Sequence, residues 1–321
     1  MAEKGHAVTT PVEQDSQPEE TRGLVFDIKR FAINDGPGIR ITIFMKGCPL
    51  SCRWCHNPES ISRQVQKMYS VEKCIGCGEC VRICPIEACE LTVDGVVTET
   101  AVCNACGMCA EVCPARASEM SGRYETVGDL VSIIEKERTF FDQSGGGVTF
   151  SGGEPLLYPE FLHEMLDACG ARGIHRTVDT SGLASTNTLL ETAQRTDLFL
   201  YDLKLMDTDR HKQWTGVGNR RILQNLETLA ATGAELQVRL PLIKGVNCDE
   251  ENIEATAVFV AALPGPRKEV NLLPFHDVAG SKTARLGENY EAGSMSAPDT
   301  ADLDRIISQF QSHGIRASIG G

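Results

Sequence analysis

The sequence contains no apolar run approaching the roughly 18 residues that a membrane-spanning helix needs. Its start also lacks the basic stretch and apolar stretch of a secretory signal. Positive charge is in deficit: 31 lysines and arginines stand against 44 acidic residues, a net charge of −13. Duplex-binding proteins need the opposite balance, so nucleic acid is excluded as the main partner. The expectation is a cytoplasmic, monomeric protein with no membrane contact.

Cysteine is abundant, at 14 of 321 residues. A disulfide framework would suit a short exported chain, and this chain is long and without an export signal. Eleven of the 14 cysteines fall in three tight motifs. Cys89, Cys169 and Cys248 are scattered and read as small buried hydrophobes. The first motif runs from Gly47 to Asn57 and spaces Cys48, Cys52 and Cys55 as C-x3-C-x2-C, with Trp54 before the last cysteine. Thiolates select iron–sulfur, zinc or copper. A closed structural site wants four ligands, whereas three leave a position open for chemistry. Three thiolates on a four-iron cluster would leave one iron free for a substrate. The competing reading is a zinc knuckle that borrows a distant fourth ligand, with His56 as one candidate.

The other two motifs are copies of one pattern. Cys74, Cys77, Cys80 and Cys84 are followed by Pro85, and Cys103, Cys106, Cys109 and Cys113 by Pro114. In this ferredoxin run the fourth cysteine serves the other cluster. One [4Fe–4S] cluster therefore takes Cys74, Cys77, Cys80 and Cys113. The second takes Cys84, Cys103, Cys106 and Cys109. Zinc ribbons use two pairs of cysteines, not two four-cysteine runs.

Residues 1–20 are polar and read as a disordered tail. Beyond it, apolar patterning predicts strands at 24–28, 39–44, 147–151, 175–179, 198–202, 236–240, 270–273 and 315–319. Helices are expected at 127–138, 160–172, 187–194, 219–232, 251–262 and 302–313. Alternation of this kind means parallel βα units in an α/β fold, as a barrel or partial barrel. The expected division is a barrel part at 21–65, a cluster-bearing insert at 66–120 and the rest of the barrel at 121–321.

Polar residues recur at the ends of these strands. Gly152, Gly153 and Glu154 follow one directly, and two glycines let backbone approach a ligand closely. No Lys-Ser/Thr follows, so a phosphate-binding loop is excluded. Asp179, Asp202 with Lys204, and His276 end others. In a parallel barrel such positions share one face. Both signs of charge are present, as a zwitterionic ligand requires.

The cysteine loop resembles that of the radical S-adenosylmethionine (SAM) superfamily. The whole ordered chain resembles the activating enzymes of glycyl-radical enzymes, the pyruvate formate-lyase activase group. The likeness is carried by Asp35 to Arg40, the cysteine loop with His56 to Glu59, Gly145 to Pro155, Asp179 to Gly182, Tyr201 to Lys204 and Leu273 to His276. It implies a partial (βα)6-type radical SAM barrel with an inserted ferredoxin-like domain, and three [4Fe–4S] clusters in all. It implies that Cys48, Cys52 and Cys55 hold the catalytic cluster, whose open iron chelates SAM beside Trp54. Gly152, Gly153 and Glu154 would take the amino end of the methionine moiety. Asp179, Asp202, Lys204 and His276 would help hold SAM, Asp179 and Asp202 would also bind a monovalent cation, and Arg239 would orient SAM or a substrate loop.

The implied reaction is reductive cleavage of SAM, followed by removal of a hydrogen from a glycine of a partner enzyme. The insert clusters would relay electrons from a ferredoxin or flavodoxin, or serve as a structural staple. Pyruvate formate-lyase activase itself lacks this insert, which points to other branches. Isethionate sulfite-lyase and then choline trimethylamine-lyase are the partners expected first. A polyferredoxin-type electron carrier would explain the insert but not the βα body. A radical SAM enzyme acting on a small molecule is the remaining alternative.

Overall fold

A computed structural model of the protein describes residues 20–265, 269–290 and 293–320. All but the last residue of the expected disordered tail lies outside the described residues. Among those residues, no helix is long and apolar enough to cross a membrane.

The chain opens with strands β1 (Arg22–Ala32) and β2 (Arg40–Met45). It then leaves for the insert, which holds β3 (Gln66–Tyr69), β4 (Cys89–Thr92), β5 (Gly95–Thr98) and β6 (Ser118–Ser121). It returns through β7 (Arg123–Thr126) and continues with β8 (Gly147–Gly152), β9 (His175–Thr180), β10 (Leu198–Asp202), β11 (Leu236–Leu242), β12 (Glu269–Pro274) and β13 (Arg316–Ile319). The main sheet has nine strands in the order β13-β12-β11-β10-β9-β8-β2-β1-β7. From β2 to β13 every neighbouring pair is parallel, and β1 pairs antiparallel with both β2 and β7. The ends of the sheet, β13 and β7, do not pair with each other.

Every parallel crossover carries at least one helix. Helix Pro159–Gly170 buries Phe161, Leu162, Met165, Leu166 and Cys169, an apolar stripe at helical spacing. Its partners in the core include Val148, Phe150 and Val178. Aspartates accept from the helix backbone at the starts of three helices: Asp207 from Arg210 N, Asp249 from Asn252 N and Asp299 from Asp302 N. Each such cap contributes about 1 kcal/mol.

The alternate residues of the same strands are polar. Arg40 is fully buried and donates to Thr149 Oγ1, Thr177 Oγ1, Val148 O and Pro37 O, each at 2.8 Å. Burial pulls its guanidinium down to about 10. Thr42 Oγ1 donates to Asp35 Oδ2 at 2.7 Å. The Asp35–Arg40 stretch therefore ties the amino-terminal ends of β2, β8 and β9, at the far end from the cysteine loop.

Some elements differ from the sequence expectation. Two helices, Val127–Glu135 and Arg138–Ser144, replace the single one expected over 127–138. The break falls at Glu137, whose carboxylate lies 3.4 Å from Arg30, and the second helix brings Phe141 into the core. Helices Thr208–Thr215 and Ala279–Arg285 were not expected. The insert enters and leaves by the antiparallel β3–β6 ladder, which keeps its two ends together.

Candidate active site

Strand β2 delivers the chain into the cysteine loop, and two segments pin that loop. Its own return provides Gly47 N→Ser60 O at 2.6 Å and Cys48 N→Ile61 O at 3.0 Å. The end of helix Thr208–Thr215 provides Ser51 N→Thr215 O at 2.8 Å and Arg53 N→Trp214 O at 3.1 Å. The Arg53 guanidinium sits 5.3 Å from the centre of the Trp214 ring. Trp54 is buried against Leu205, Ile243, Val246, Phe275 and Met295. Lys282, on the unexpected helix Ala279–Arg285, donates to Asn57 Oδ1 at 2.7 Å and lies 2.8 Å from Glu59 Oε1.

Cys48, Cys52 and Cys55 line a cavity of about 230 Å³. Burial pushes the Cys48 and Cys52 thiols up to about 12 and the Cys55 thiol up to about 11. These thiols are neutral on their own, and binding a cationic cluster must displace their protons.

The opposite wall of the cavity is polar and comes from the carboxyl ends of β8 to β10 and from β11. Ser151 Oγ donates to Asp179 Oδ2 at 2.6 Å. Lys204 Nζ donates to Asp202 Oδ2 at 2.9 Å. Arg239 Nη1 lies 3.6 Å from Asp179 Oδ1, and Arg239 Nε lies 3.9 Å from Asp202 Oδ1. Both distances exceed a hydrogen bond. Asp202 Oδ1, Arg239 Nε and Arg239 Nη1 are accordingly buried without a hydrogen-bond partner. Native structures rarely leave such groups unpaired.

Burial raises the Asp179 carboxyl to about 6, against the pull of Arg239. Burial alone would lower the Lys204 ammonium, but Asp202 beside it and the cysteines beyond hold it above the ordinary lysine value. The site thus holds a buried acceptor and a buried donor pair, both open, facing three thiols. That set suits a ligand carrying an ammonium and a carboxylate.

Two of the residues expected to contact the ligand stand outside the cavity lining. Glu154 does not line the cavity. Its carboxylate accepts from Thr180 Oγ1 at 2.6 Å, Ser181 N at 2.9 Å, Ser181 Oγ at 2.5 Å and Leu156 N at 3.1 Å. These bonds use its acceptor capacity and fix the turn after β9, so no oxygen remains for an amino group. His276 is exposed at the rim, its ring 6.4 Å from that of His56, and is not among the cavity-lining residues. Gly152 and Gly153 do line the cavity, but chain packing also demands them. A Cβ on Gly153 would lie 2.1 Å from Gly47 O, and Gly152 has a φ of +112°. Ser151, Thr180, Ser181 and Phe275 line the cavity without having been singled out as ligand contacts. Ser151 was legible, because it lies two residues beyond Thr149 on the same polar face.

The insert encloses two smaller cavities. One is lined by Cys74, Cys77, Cys80 and Cys113, the other by Cys84, Cys103, Cys106 and Cys109. The two halves repeat each other. Short helices Glu79–Arg82 and Met108–Glu111 follow left-handed glycines, Gly78 and Gly107. Backbone amides donate to sulfur at matching places: Ala88 N→Cys84 Sγ at 3.3 Å and Ala117 N→Cys113 Sγ at 3.2 Å. Among the described residues, no three His, Cys, Asp or Glu side chains converge closely enough to hold a single ion. Cys89, Cys169 and Cys248 are buried.

A family model described as the radical SAM superfamily matches residues 102–258. Models described as a 4Fe-4S single cluster domain and a 4Fe-4S binding domain match residues 34–79 and 71–93. The chain is 41% identical to the trans-4-hydroxy-L-proline dehydratase activating enzyme of Clostridioides difficile, over 93% of this chain and 99% of that one. It is 37% identical to the choline trimethylamine-lyase activating enzyme of Oleidesulfovibrio alaskensis, over 94% of this chain and 98% of that one. A solved radical SAM methyltransferase from Sphaerobacter thermophilus superposes with a TM-score of 0.53 at 16% identity, over 87% of this chain and 66% of that one. At that identity the likeness concerns the fold alone.

Proposed function

The chain belongs to the radical SAM activating enzymes of glycyl-radical enzymes, and from that premise we propose a role for each part of the site. Cys48, Cys52 and Cys55 hold a four-iron cluster with one open iron, and the two insert quartets hold one cluster each. The sheet acts as a partial (βα)6 barrel, with the insert as a ferredoxin-like domain between its first strands and the remainder. A reduced cluster on Cys48, Cys52 and Cys55 would supply the single electron for reductive cleavage of SAM, with a glycine of the partner enzyme as the hydrogen donor.

The single observation that carries this reading is the set of buried atoms without a hydrogen-bond partner opposite the thiols, Asp202 Oδ1 with Arg239 Nε and Nη1. Asp202 and Asp179 accept from the ammonium of the methionine moiety, and Lys204 and Arg239 balance its carboxylate. Asp179 and Asp202 also offer oxygens to a monovalent cation. Trp54 closes one wall and excludes water from the thiols. Glu154 acts through Thr180 and Ser181, as a positioning residue. His276 stands at the rim, where it meets the outer part of SAM or the incoming glycine loop.

The protein substrate is a glycyl-radical enzyme. Glycine suits the role because its Cα carries no side chain to obstruct approach. A difference of 41% against 37% identity does not separate partners. Trans-4-hydroxy-L-proline dehydratase, choline trimethylamine-lyase and isethionate sulfite-lyase therefore stand together as candidates. The test mixes the reconstituted protein, a reductant, SAM and each candidate without oxygen. A glycyl-radical signal on one candidate, with 5′-deoxyadenosine formed alongside, is the expected result. If none acquires a radical while a free metabolite is consumed with SAM, a small-molecule activity replaces this reading.

A further inference from the structure

One half-buried lysine of the insert lies against its second cysteine quartet. Lys67 sits on β3, opposite Met120 of β6. Its ammonium donates to Thr98 Oγ1 at 2.7 Å and to Cys89 Sγ at 3.2 Å. Cys89 and Thr98 face each other across the β4–β5 hairpin, so three strands fix this one side chain. Lys67 and Cys89 both line the cavity of Cys84, Cys103, Cys106 and Cys109. Cys89 is also buried in one small cluster with Cys109 of that quartet and Cys80 of the other. Cys89, which accepts from the Lys67 ammonium, thus lies beside a cysteine from each quartet. The nearby Tyr69, on the same face of β3, lines the first cavity and brings no charge to it.

We propose that Lys67 tunes the electron path of the insert: its fixed charge makes both insert clusters easier to reduce, and the one in its own cavity more so. The inference rests on the reading that the insert holds two clusters. An electron arriving from a one-electron donor makes a cluster more negative, with no bond made or broken. A cation held close by stabilises that reduced form, and more strongly in a poorly solvated site than in water. Net charge and hydrogen bonds to sulfur are the protein's means of setting such potentials. A clamp that only joined β3 to the hairpin would need the hydrogen bonds of Lys67 but not its charge.

The experiment is a redox titration followed by electron paramagnetic resonance. It uses the full chain carrying Cys48→Ala, Cys52→Ala and Cys55→Ala, so that only insert signals remain, with iron analysis of every sample. Lys67→Gln keeps a donor toward Cys89 and Thr98, and Lys67→Met keeps the length of the stem. Both neutral variants are expected to move both midpoint potentials to more negative values, one signal further than the other. Lys67→Arg keeps the charge and is expected to keep both potentials. Fewer than about eight irons in the parent would sink the two-cluster reading and the inference with it. Full iron with unmoved potentials in both neutral variants overturns the inference alone. Iron lost in Lys67→Met, with iron and both potentials kept in Lys67→Gln, would make Lys67 a hydrogen-bonding clamp, which also overturns it.

Discussion

Lys204 Nζ donates to one oxygen of Asp202 at 2.9 Å, while the other oxygen of the same carboxylate is buried without a partner. The lysine neutralises the aspartate without saturating it. An acceptor is left facing the cysteine loop, in a site too dry to tolerate it unpaired. The arrangement is therefore set for a ligand that donates.

Asp202→Ala and Lys204→Ala are each expected to weaken SAM binding. Loss of a charge-assisted contact costs on the order of 1.5–3 kcal/mol, or roughly ten- to a hundred-fold in affinity. Equilibrium binding on the iron-loaded protein is the measurement, with iron content expected to stay normal. Unchanged affinity in both would make the pair a surface feature of the cavity wall.

Asp179 predicts a pH dependence. Its carboxyl is raised to about 6, so it is charged above that value and neutral below it. SAM affinity is expected to fall as pH drops through about 6, because a protonated Asp179 no longer attracts the ammonium. The stability effect has the opposite sign. The folded state binds this proton more tightly than the unfolded chain, so stability contributed here declines as pH rises from the ordinary carboxylate range to about 6. Asp179→Asn should therefore raise the melting temperature of the ligand-free protein at pH 7, by up to about 3 kcal/mol of stability, while binding SAM more weakly. A variant that melts earlier would refute the burial argument.

Removing the three loop cysteines together, by Cys48→Ala, Cys52→Ala and Cys55→Ala, should abolish SAM cleavage and leave about eight irons in the insert. Iron analysis and electron paramagnetic resonance of the anaerobic protein decide this. Loss of all iron, or retained cleavage, would count against separate sites.

Glu154→Ala should destabilise the protein whether or not SAM is present. It strands Thr180 Oγ1, Ser181 Oγ and Ser181 N, and an unpaired buried group costs about 1–3 kcal/mol. Thermal unfolding without ligand reads this directly. A variant as stable as the parent, yet poor at binding SAM, would return Glu154 to the ligand.

Gly153→Ala should loosen the cysteine loop, because its new Cβ meets Gly47 O at 2.1 Å. The expected outcome is loss of loop-bound iron with the insert irons retained.

The cysteine motifs, the βα alternation and the family were legible in the sequence because each is local. Cys48, Cys52 and Cys55 span eight residues, and a loop that short has few ways to present three thiols. Strands such as Leu198–Asp202 announce themselves by their own apolar run, and the two quartets by their matched spacing. Chain-distant contacts were not legible. Spacing cannot tell that Glu154 turns inward to Thr180 and Ser181, or that Arg239 stops short of both Asp179 and Asp202. Nor can it place Lys67 against Cys89 and Thr98, 22 and 31 residues further along the chain. Helix Thr208–Thr215 escaped notice because it is largely polar, yet its last carbonyls hold the cysteine loop. The sequence by itself determined which side chains can offer thiolates to a metal, since a donor's chemistry is a property of its residue type. Only the tertiary structure decided which polar groups stay unpaired and which are consumed, since hydrogen bonding depends on what folding brings within about 3 Å.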